Sequence, residues 1–342
     1  MHAVRFHEHG GPEVLRYEEA PDPVAGAHQV LVRVKGCALN HLDLFLRRGI
    51  PGQKVPLPHI AGSDVAGDVA ELGPGCTRVK VGDRVLLSPG QSCRQCGECA
   101  AGRDNFCRKY SVLGYWMDGG NAEYIAVPEV YALPIPGKLS FEEAAAAPLV
   151  FLTAWHMLVG RAGIRAGEEV LVLGAASGVG SAAIQIARML DCRVIATAGG
   201  DEKLARAREL GAHDVIDHYR QNIADEVKRL TNRRGVDVVF EHVGAATWDH
   251  SVGCLAHHGR LVTCGATTGF EARLDLRYLY SRQLSLLGSF MGSLGELHEV
   301  LSHIGRGALR PIVDRVYPLG EIRAAHERLE NKEQFGKIVL TP

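Results

Sequence analysis

The sequence predicts a chain of mixed class, α/β with a separate, mostly β part. A doubly wound parallel sheet of six strands is expected in the second half, and an irregular β region ahead of it. Three observations lead there. Val170–Arg188 reads as a strand, a glycine-rich turn and a helix in direct succession. From Val170 onward, strand and helix patterns alternate. Before that point strand follows strand, with glycine turns between them.

In chain order, residues 1–35 alternate as strands do, and Gln29–Lys35 carries valines at period two behind a loop marked by Pro21 and Pro23. Asn40-His41-Leu42-Asp43 is a polar cluster opening a short helix to Arg48, followed by a turn at Gly49–Gly52. Val65–Val85 reads as two strands joined at Gly73-Pro74-Gly75, and Gly119–Pro128 returns to strand. Leu139–His156 is alanine-rich and helical, with Ser140 as N-cap, Glu142 and Glu143 in the first turn, and a break at Pro148. The later strands are expected at Val170–Leu173, Arg193–Ala198, Val215–Ile216, Val236–Phe240, Arg260–Thr263 and Leu284–Leu287. Helices are expected between them at Ser181–Leu190, Asp201–Leu210, Asn222–Thr231 and Thr247–Leu255. Two amphipathic helices, around Leu294–Ile304 and Leu319–Glu330, and a terminal strand at Lys337–Leu340 close the chain.

A length of 342 residues favours two domains over one, and a hydrophobic fraction of 46% is ample for a core. The net charge of −1 gives no electrostatic reason to expect a nucleic-acid or anionic-membrane partner. No apolar run approaches the roughly 18 residues of a membrane span, and MHAVRFHEHG lacks the basic-then-apolar form of a signal peptide. A soluble cytoplasmic protein acting on a small molecule is expected.

Nine cysteines are present, an odd number, in a long chain with no export signal, so disulfides account for them poorly. Four lie at Cys93, Cys96, Cys99 and Cys107. A two-residue gap lets thiolates of one loop converge on one ion, and a fourth thiolate closes the tetrahedron with no open position. The spacing therefore predicts one structural zinc ion, with an iron–sulfur cluster as the other metal reading. The lobe has little apolar sequence of its own, so the metal would hold it folded.

The turn Gly174–Gly180, with Gly174, Ser177, Gly178, Val179 and Gly180, sits where a pyrophosphate would meet the helix start. Glycine lets the turn fold sharply and a ligand approach the backbone. The next strand ends at Ala198-Gly199, where an acid would bond a ribose 2′-hydroxyl and repel a 2′-phosphate. Alanine there, with Lys203 and Arg206 on the following helix, favours NADP(H) over NAD(H). Asp201 adds some charge nearby, or simply caps that helix.

This order of motifs resembles the medium-chain dehydrogenase/reductase superfamily along essentially the whole chain. The resemblance implies a GroES-like catalytic domain over residues 1–150 with the zinc lobe at 90–110. It further implies a Rossmann domain over 151–290, a return of 291–342 to the catalytic domain, and an active site in the cleft between domains. Cys93, Cys96, Cys99 and Cys107 match the family's structural-zinc lobe. The zinc alcohol dehydrogenases also hold a catalytic zinc through a Cys, a His in Gly-His-Glu, and a Cys or Asp before the coenzyme domain. Cys37 matches the first, but the second reads Gly62-Ser63-Asp64 and the third falls near Leu149. One ligand of three argues against a catalytic zinc. A site rebuilt from Cys37, His59 and Asp64 is the exception to test.

Asn40-His41-Leu42-Asp43 and Gly62-Ser63-Asp64 are instead similar to the zinc-independent quinone and enoyl reductase branch. There, hydrogen-bond donors must stabilise the developing oxyanion. Asn40, His41, His59 and Ser63 are the candidates, with Asp43 and Asp64 beside them and histidine the natural proton donor. Thr153 matches a position beside the nicotinamide. The segments His242-Val243-Gly244, Gly265-Ala266-Thr267 and Ser289–Gly292, including Met291, match those lining the nicotinamide half of the site. The expected function is hydride transfer from NADP(H) to an activated C=C or a quinone. The alternatives are a zinc-dependent alcohol dehydrogenase or aldehyde reductase with atypical ligands, and a catalytically silent nucleotide-binding protein. A homodimer or homotetramer is expected, the last sheet strand offering an edge for pairing.

Overall fold

The structure, a computed structural model, describes residues 1–342. The chain forms two compact units. The first comprises Met1–Leu149, Ser293–Gly307 and Pro311–Pro342, and the second Val150–Gly292 with Ala308–Arg310.

The first unit is built on a seven-stranded sheet. Its central strand, Gln29–Ala38, pairs antiparallel with Asp64–Leu72 along one edge. Along the other edge it pairs with Tyr124–Pro128 and, at its end, with Lys337–Thr341. Val30, Val32 and Val34 all point into the core, against Val65, Val69, Val85 and Ile125, as period-two alternation requires. The terminal strand also takes a parallel neighbour, Val313–Pro318, which local sequence did not announce. That segment is a half-exposed edge with too few apolar residues to show a pattern.

In the second unit all six strands are parallel, in the spatial order Asp214–Asp217, Arg193–Ala198, Glu169–Val172, Val236–Glu241, Leu255–Thr263, Ser285–Gly288. Counting strands along the chain, this is 3-2-1-4-5-6, the doubly wound order, with its switch point between Glu169–Val172 and Val236–Glu241. Val170, Leu171, Val172, Val238, Val239 and Phe240 are wholly buried, which is why these strands read as continuous apolar runs. The expected crossovers appear at Gly178–Met189, Asp201–Glu209 and Ile223–Leu230.

Three expectations are corrected. The helix anticipated to Leu255 ends at Gly253, and the strand anticipated from Arg260 begins at Leu255. A bulge lets Leu255 pair with Val236, and a short apolar run does not by itself distinguish helix from strand. A further short helix, Leu276–Ser281, precedes the last strand. Asp201 is the first helical residue rather than the cap; Gly200 takes that position. By contrast, Ser140 does cap Phe141–Ala145 with Glu143 closing a capping box, and Pro148 opens the next helix, Pro148–Trp155, where its missing N–H costs nothing.

Candidate active site and metal lobe

The four cysteine thiols converge. The sulfur atoms of Cys93, Cys96, Cys99 and Cys107 all lie within 4.8 Å of one another, with Cys96–Cys99 at 3.5 Å and Cys93–Cys99 at 3.9 Å. A tetrahedron with metal–sulfur bonds of about 2.3 Å has edges of about 3.8 Å, so this donor set fits a four-coordinate ion. The thiols titrate together: backbone N–H groups of Gln95 and Cys96 pull Cys93 down to about 6, while Cys96, despite a bond from the Cys99 N–H, is pushed up to about 11 by the sulfurs around it and by burial.

The corner between Gln29–Ala38 and the helix His41–Arg48 holds the other polar cluster of this unit. Asp43 is buried, and both of its oxygens are committed: Oδ2 accepts from the Asn40 N–H at 2.6 Å and Oδ1 from the Gly62 N–H at 3.0 Å. Gly62 has φ +105°, and a Cβ there would meet Asn121 Oδ1 and Cys37 Sγ at 2.7 Å, so only glycine fits. Its carbonyl accepts from the Gly120 N–H at 2.9 Å. Asp64, fully buried, accepts from the Leu149 N–H at 2.7 Å and from Lys337 Nζ at 2.8 Å. The Asn40 amide is turned inward: Oδ1 accepts from Lys337 Nζ at 2.6 Å and Nδ2 donates to Asp64 at 3.0 Å. Asn40, Asp43 and Asp64 are thus spent on one another, on backbone and on Lys337. Local pattern gave no sign of Lys337, although a lysine heading an apolar strand is itself a signal, since lysine is almost never buried unpaired.

His59 faces elsewhere. Its Nε2 lies 3.0 Å from the Gly114 carbonyl, its Nδ1 3.6 Å from Asp118, and its ring stands edge-on to Phe6. Burial lowers its pKa, so it is neutral. Cys37, His59 and Asp64 do not form a ligand group; the four-cysteine set is the metal-type cluster of the chain. Burial first, then the Asp43 and Asp64 carboxylates, push the Cys37 thiol well up and keep it protonated. Ser63, between the two anchored residues, has a buried hydroxyl with no partner. His41 is the first residue of its helix and is partly exposed. In the second unit, Thr153 likewise carries a buried hydroxyl without a partner.

At the switch point of the parallel sheet, Gly174 takes φ +59°, and a Cβ on Gly180 would come within 2.3 Å of the Gly174 carbonyl oxygen. Ser177 caps the helix through its Oγ, which accepts from the Gly180 N–H at 2.9 Å. The N–H groups of Gly178 and Val179, first in that helix, have no intrahelical acceptor and are available to a phosphate. His242 bridges the two strands of the switch point, its Nε2 2.9 Å from the Leu173 carbonyl and 3.3 Å from Ser177 Oγ. Glu241 pins the following turn by accepting from the N–H groups of Val243 at 2.6 Å and Gly244 at 3.0 Å. The 265–268 turn packs on it, with Thr268 donating to the Val243 carbonyl at 2.7 Å. Ser289 and Met291 follow the last strand. All these segments lie at carboxyl ends of strands, where open parallel sheets bind ligands.

Ala198 ends its strand opposite Asp217. Beyond it, a Cβ on Gly199 would strike the Tyr219 ring, so that ring lies against the turn. Arg220 donates to Asp201 at 3.0 Å and stands 3.3 Å from Asp217. Tyr219 and Arg220 were missed by sequence reasoning because they sit on the neighbouring strand's loop, some 20 residues along the chain.

A glycine cradle at the switch point of a 3-2-1-4-5-6 sheet, joined to a GroES-like β unit with a four-thiol lobe, defines a nicotinamide-dinucleotide oxidoreductase. The chain belongs to the medium-chain dehydrogenase/reductase superfamily and is an NAD(P)-dependent enzyme. Residues 26–137 match the alcohol dehydrogenase GroES-like domain model, and residues 178–306 the zinc-binding dehydrogenase model. Among its relatives, a quinone oxidoreductase of Homo sapiens is 31% identical, the match covering 99% of this chain and 97% of that one. A solved NAD-dependent alcohol dehydrogenase superposes with a TM-score of 0.97 at 45% identity, covering both chains completely. A crotonyl-CoA carboxylase/reductase in complex with NADP superposes with a TM-score of 0.92 at 28% identity, covering all of this chain and 94% of that one. No helix is long and apolar enough to cross a membrane.

Proposed function

We propose that the protein is an NADP(H)-dependent reductase of an activated C=C or a quinone, with zinc in the four-cysteine lobe and none at the reacting centre. One observation carries the reading: where a reactive ion would sit, Asp64 and Asn40 are bound to the Lys337 ammonium and the adjoining side chain is a serine. A protonated Cys37, a serine and the aliphatic Leu149 do not form a zinc-binding set. The nicotinamide cofactor, when bound, supplies the hydride. Gly174–Gly180 would hold its pyrophosphate, and the turns after Glu241 and Thr263 its nicotinamide half.

On the protein side, Ser63 donates a hydrogen bond to the acceptor oxygen as charge develops there. His41 is the proton donor, since His59 is committed to Gly114. Asn40, Asp43 and Asp64 act as holders of the backbone around Ser63 rather than as donors. A homodimer or homotetramer remains our reading of assembly, with a second copy pairing along the half-exposed edge Ser285–Gly288.

The alcohol dehydrogenase reading is kept because a relative at 45% identity carries that name. Two measurements on the purified protein separate the readings: elemental analysis, and turnover against a panel of quinones, enones, alcohols and aldehydes. One zinc per chain with enone or quinone reduction is the expected result. Two zincs per chain with alcohol oxidation would overturn it, and cofactor binding without turnover on any member would favour the silent alternative.

NADP(H) preference is supported by charge at the end of Arg193–Ala198. Both acids near that point, Asp201 and Asp217, are held by Arg220, and Lys203 and Arg206 lie on the same helix as Asp201. Arg220→Ala would leave the two carboxylates facing a 2′-phosphate. A charge pair a few ångströms apart in a water-like medium is worth about 1 kcal/mol, so the NADPH-to-NADH ratio of kcat/KM should fall about fivefold. An unchanged ratio would show that Arg220 plays no part in cofactor selection.

A further inference from the structure

Lys337 stands out among the buried groups. Its side chain is 4% exposed and that of Asp64 0%. It heads the strand Lys337–Thr341, whose next three residues are apolar and buried. Elsewhere in such a strand an aliphatic residue would serve the sheet as well, and a buried ion pair adds little stability over well-packed apolar replacements. The ammonium is therefore better explained by what it holds than by what it stabilises. It reaches across 297 residues of chain to Asn40 Oδ1 and across 273 to Asp64 Oδ2. The Leu39 N–H donates to the Ile338 carbonyl at 2.9 Å, which fixes the terminal strand beside this corner. Asp43, on the other side, ties the Asn40 N–H to the Gly62 N–H. The bonds close a ring: Asn40, Asp43, Gly62, Ser63, Asp64 and back to Asn40, with Lys337 as its cation. Ser63 is the member whose hydroxyl is unspent.

We propose that Lys337 is a positioning residue, whose ammonium orients Asn40 and Asp64 so that the backbone between Gly62 and Asp64 presents the Ser63 hydroxyl to the acceptor. This rests on the reading of Ser63 as the donor. The fixed charge does for the geometry of this corner what a bound ion does in a metal site: it draws oxygen ligands from separate strands to one point. Here the oxygens come from the helix cap at Asn40 and the strand start at Asp64.

The test uses the full-length enzyme and compares wild type, Lys337→Met, Lys337→Ala and the double variant Asp64→Asn/Lys337→Met. Displacing a reacting group by about 1 Å costs about 10²-fold in rate, so Lys337→Met should lower kcat by about that factor. The KM for NADPH should move less than about twofold, because the cofactor loop belongs to the other unit. The double variant carries no unpaired charge and should melt near the wild-type midpoint, yet stay at least about tenfold below it in kcat. Ethylammonium should restore part of the Lys337→Ala rate. A double variant with wild-type kcat would overturn the proposal, as would an amine without effect. Amide hydrogen exchange gives a reading independent of activity. Gly62 and Leu149, whose N–H groups bind Asp43 and Asp64, should exchange faster in Lys337→Met, and unchanged exchange overturns the proposal. If wild type reduces no quinone or enone, the proposed function fails on that ground, while exchange still decides whether Lys337 holds the corner.

Discussion

Glu241→Ala should destabilise the second unit by about 3 kcal/mol and weaken nicotinamide-cofactor binding at least about tenfold. The carboxylate is fully buried at the end of Val236–Glu241, beside the switch point. It accepts from the N–H groups of Val243 and Gly244, from Thr247 Oγ1 at 3.0 Å and from Ser251 Oγ. The two hydroxyls can turn to other acceptors, and Thr247 already has the Gly244 carbonyl at 3.2 Å. The two N–H groups have no such freedom, and each stranded donor costs about 1–3 kcal/mol. Loss of a buried carboxylate's desolvation cost offsets part of this, leaving about 3 kcal/mol. Binding falls as well because the released turn is the one that carries His242, Val243 and Gly244. Glu241→Gln is the informative control: it keeps one acceptor oxygen but turns an NH₂ toward the remaining donors, so an intermediate loss is expected. Urea unfolding and cofactor titration by fluorescence check both parts. A change under about 0.5 kcal/mol, the level of an ordinary surface substitution, would show that the turn holds itself.

The contrast between what sequence made legible and what it did not follows the range of the interactions. Gly174–Gly180 was readable because strand, turn and helix start are contiguous, and the tight packing of Gly180 on Gly174 is local. The four cysteines were readable because a loop closing on one ion needs short, fixed gaps. The partners of Asn40 and Asp64 were not readable in that way. Both residue types look like donors or bases when seen beside a histidine, and only the arrival of Lys337 from the far end of the chain shows that their polar atoms are already used. The partners of His59 were out of view for the same reason, since Gly114 and Asp118 lie 55 and 59 residues on. Ser63 emerged by elimination: it is the hydroxyl that its anchored neighbours leave unspent. Residue type narrowed the candidates, and long-range pairing shows which of their polar atoms are engaged and which are not.

Asp43 gives the second large effect, and its sign is opposite to that of an ordinary salt-bridged aspartate. Burial, opposed by the N–H bonds from Asn40 and Gly62 and by Lys337, raises its pKa from 3.8 to about 6. A carboxyl whose folded pKa is raised binds its proton more tightly in the folded state than in the unfolded one. Stability from this group is therefore fully present below about pH 4 and is lost as pH rises through about 6. A shift of about two units corresponds to about 3 kcal/mol. Asp43→Ala removes that pH-dependent cost, but it also strands the Asn40 and Gly62 N–H groups at about 1–3 kcal/mol each, the first of these bonds being the one that caps the helix. At pH 7.5 the two sides nearly cancel, and the variant should be destabilised by no more than about 2 kcal/mol. At pH 4.5 the folded carboxyl is protonated and most of its cost is gone, so the same substitution should cost about 2 kcal/mol more. Urea unfolding of both proteins at the two pH values measures this difference directly. A cost that is constant, or that grows toward pH 7.5, would mean that Asp43 is stabilised as an anion by its two N–H donors and that desolvation does not dominate. Activity should not follow stability. Whatever the pH, Asp43→Ala frees Gly62 from Asn40, and a Ser63 hydroxyl no longer held from that side should lose about 10²-fold in kcat even where the fold loses little.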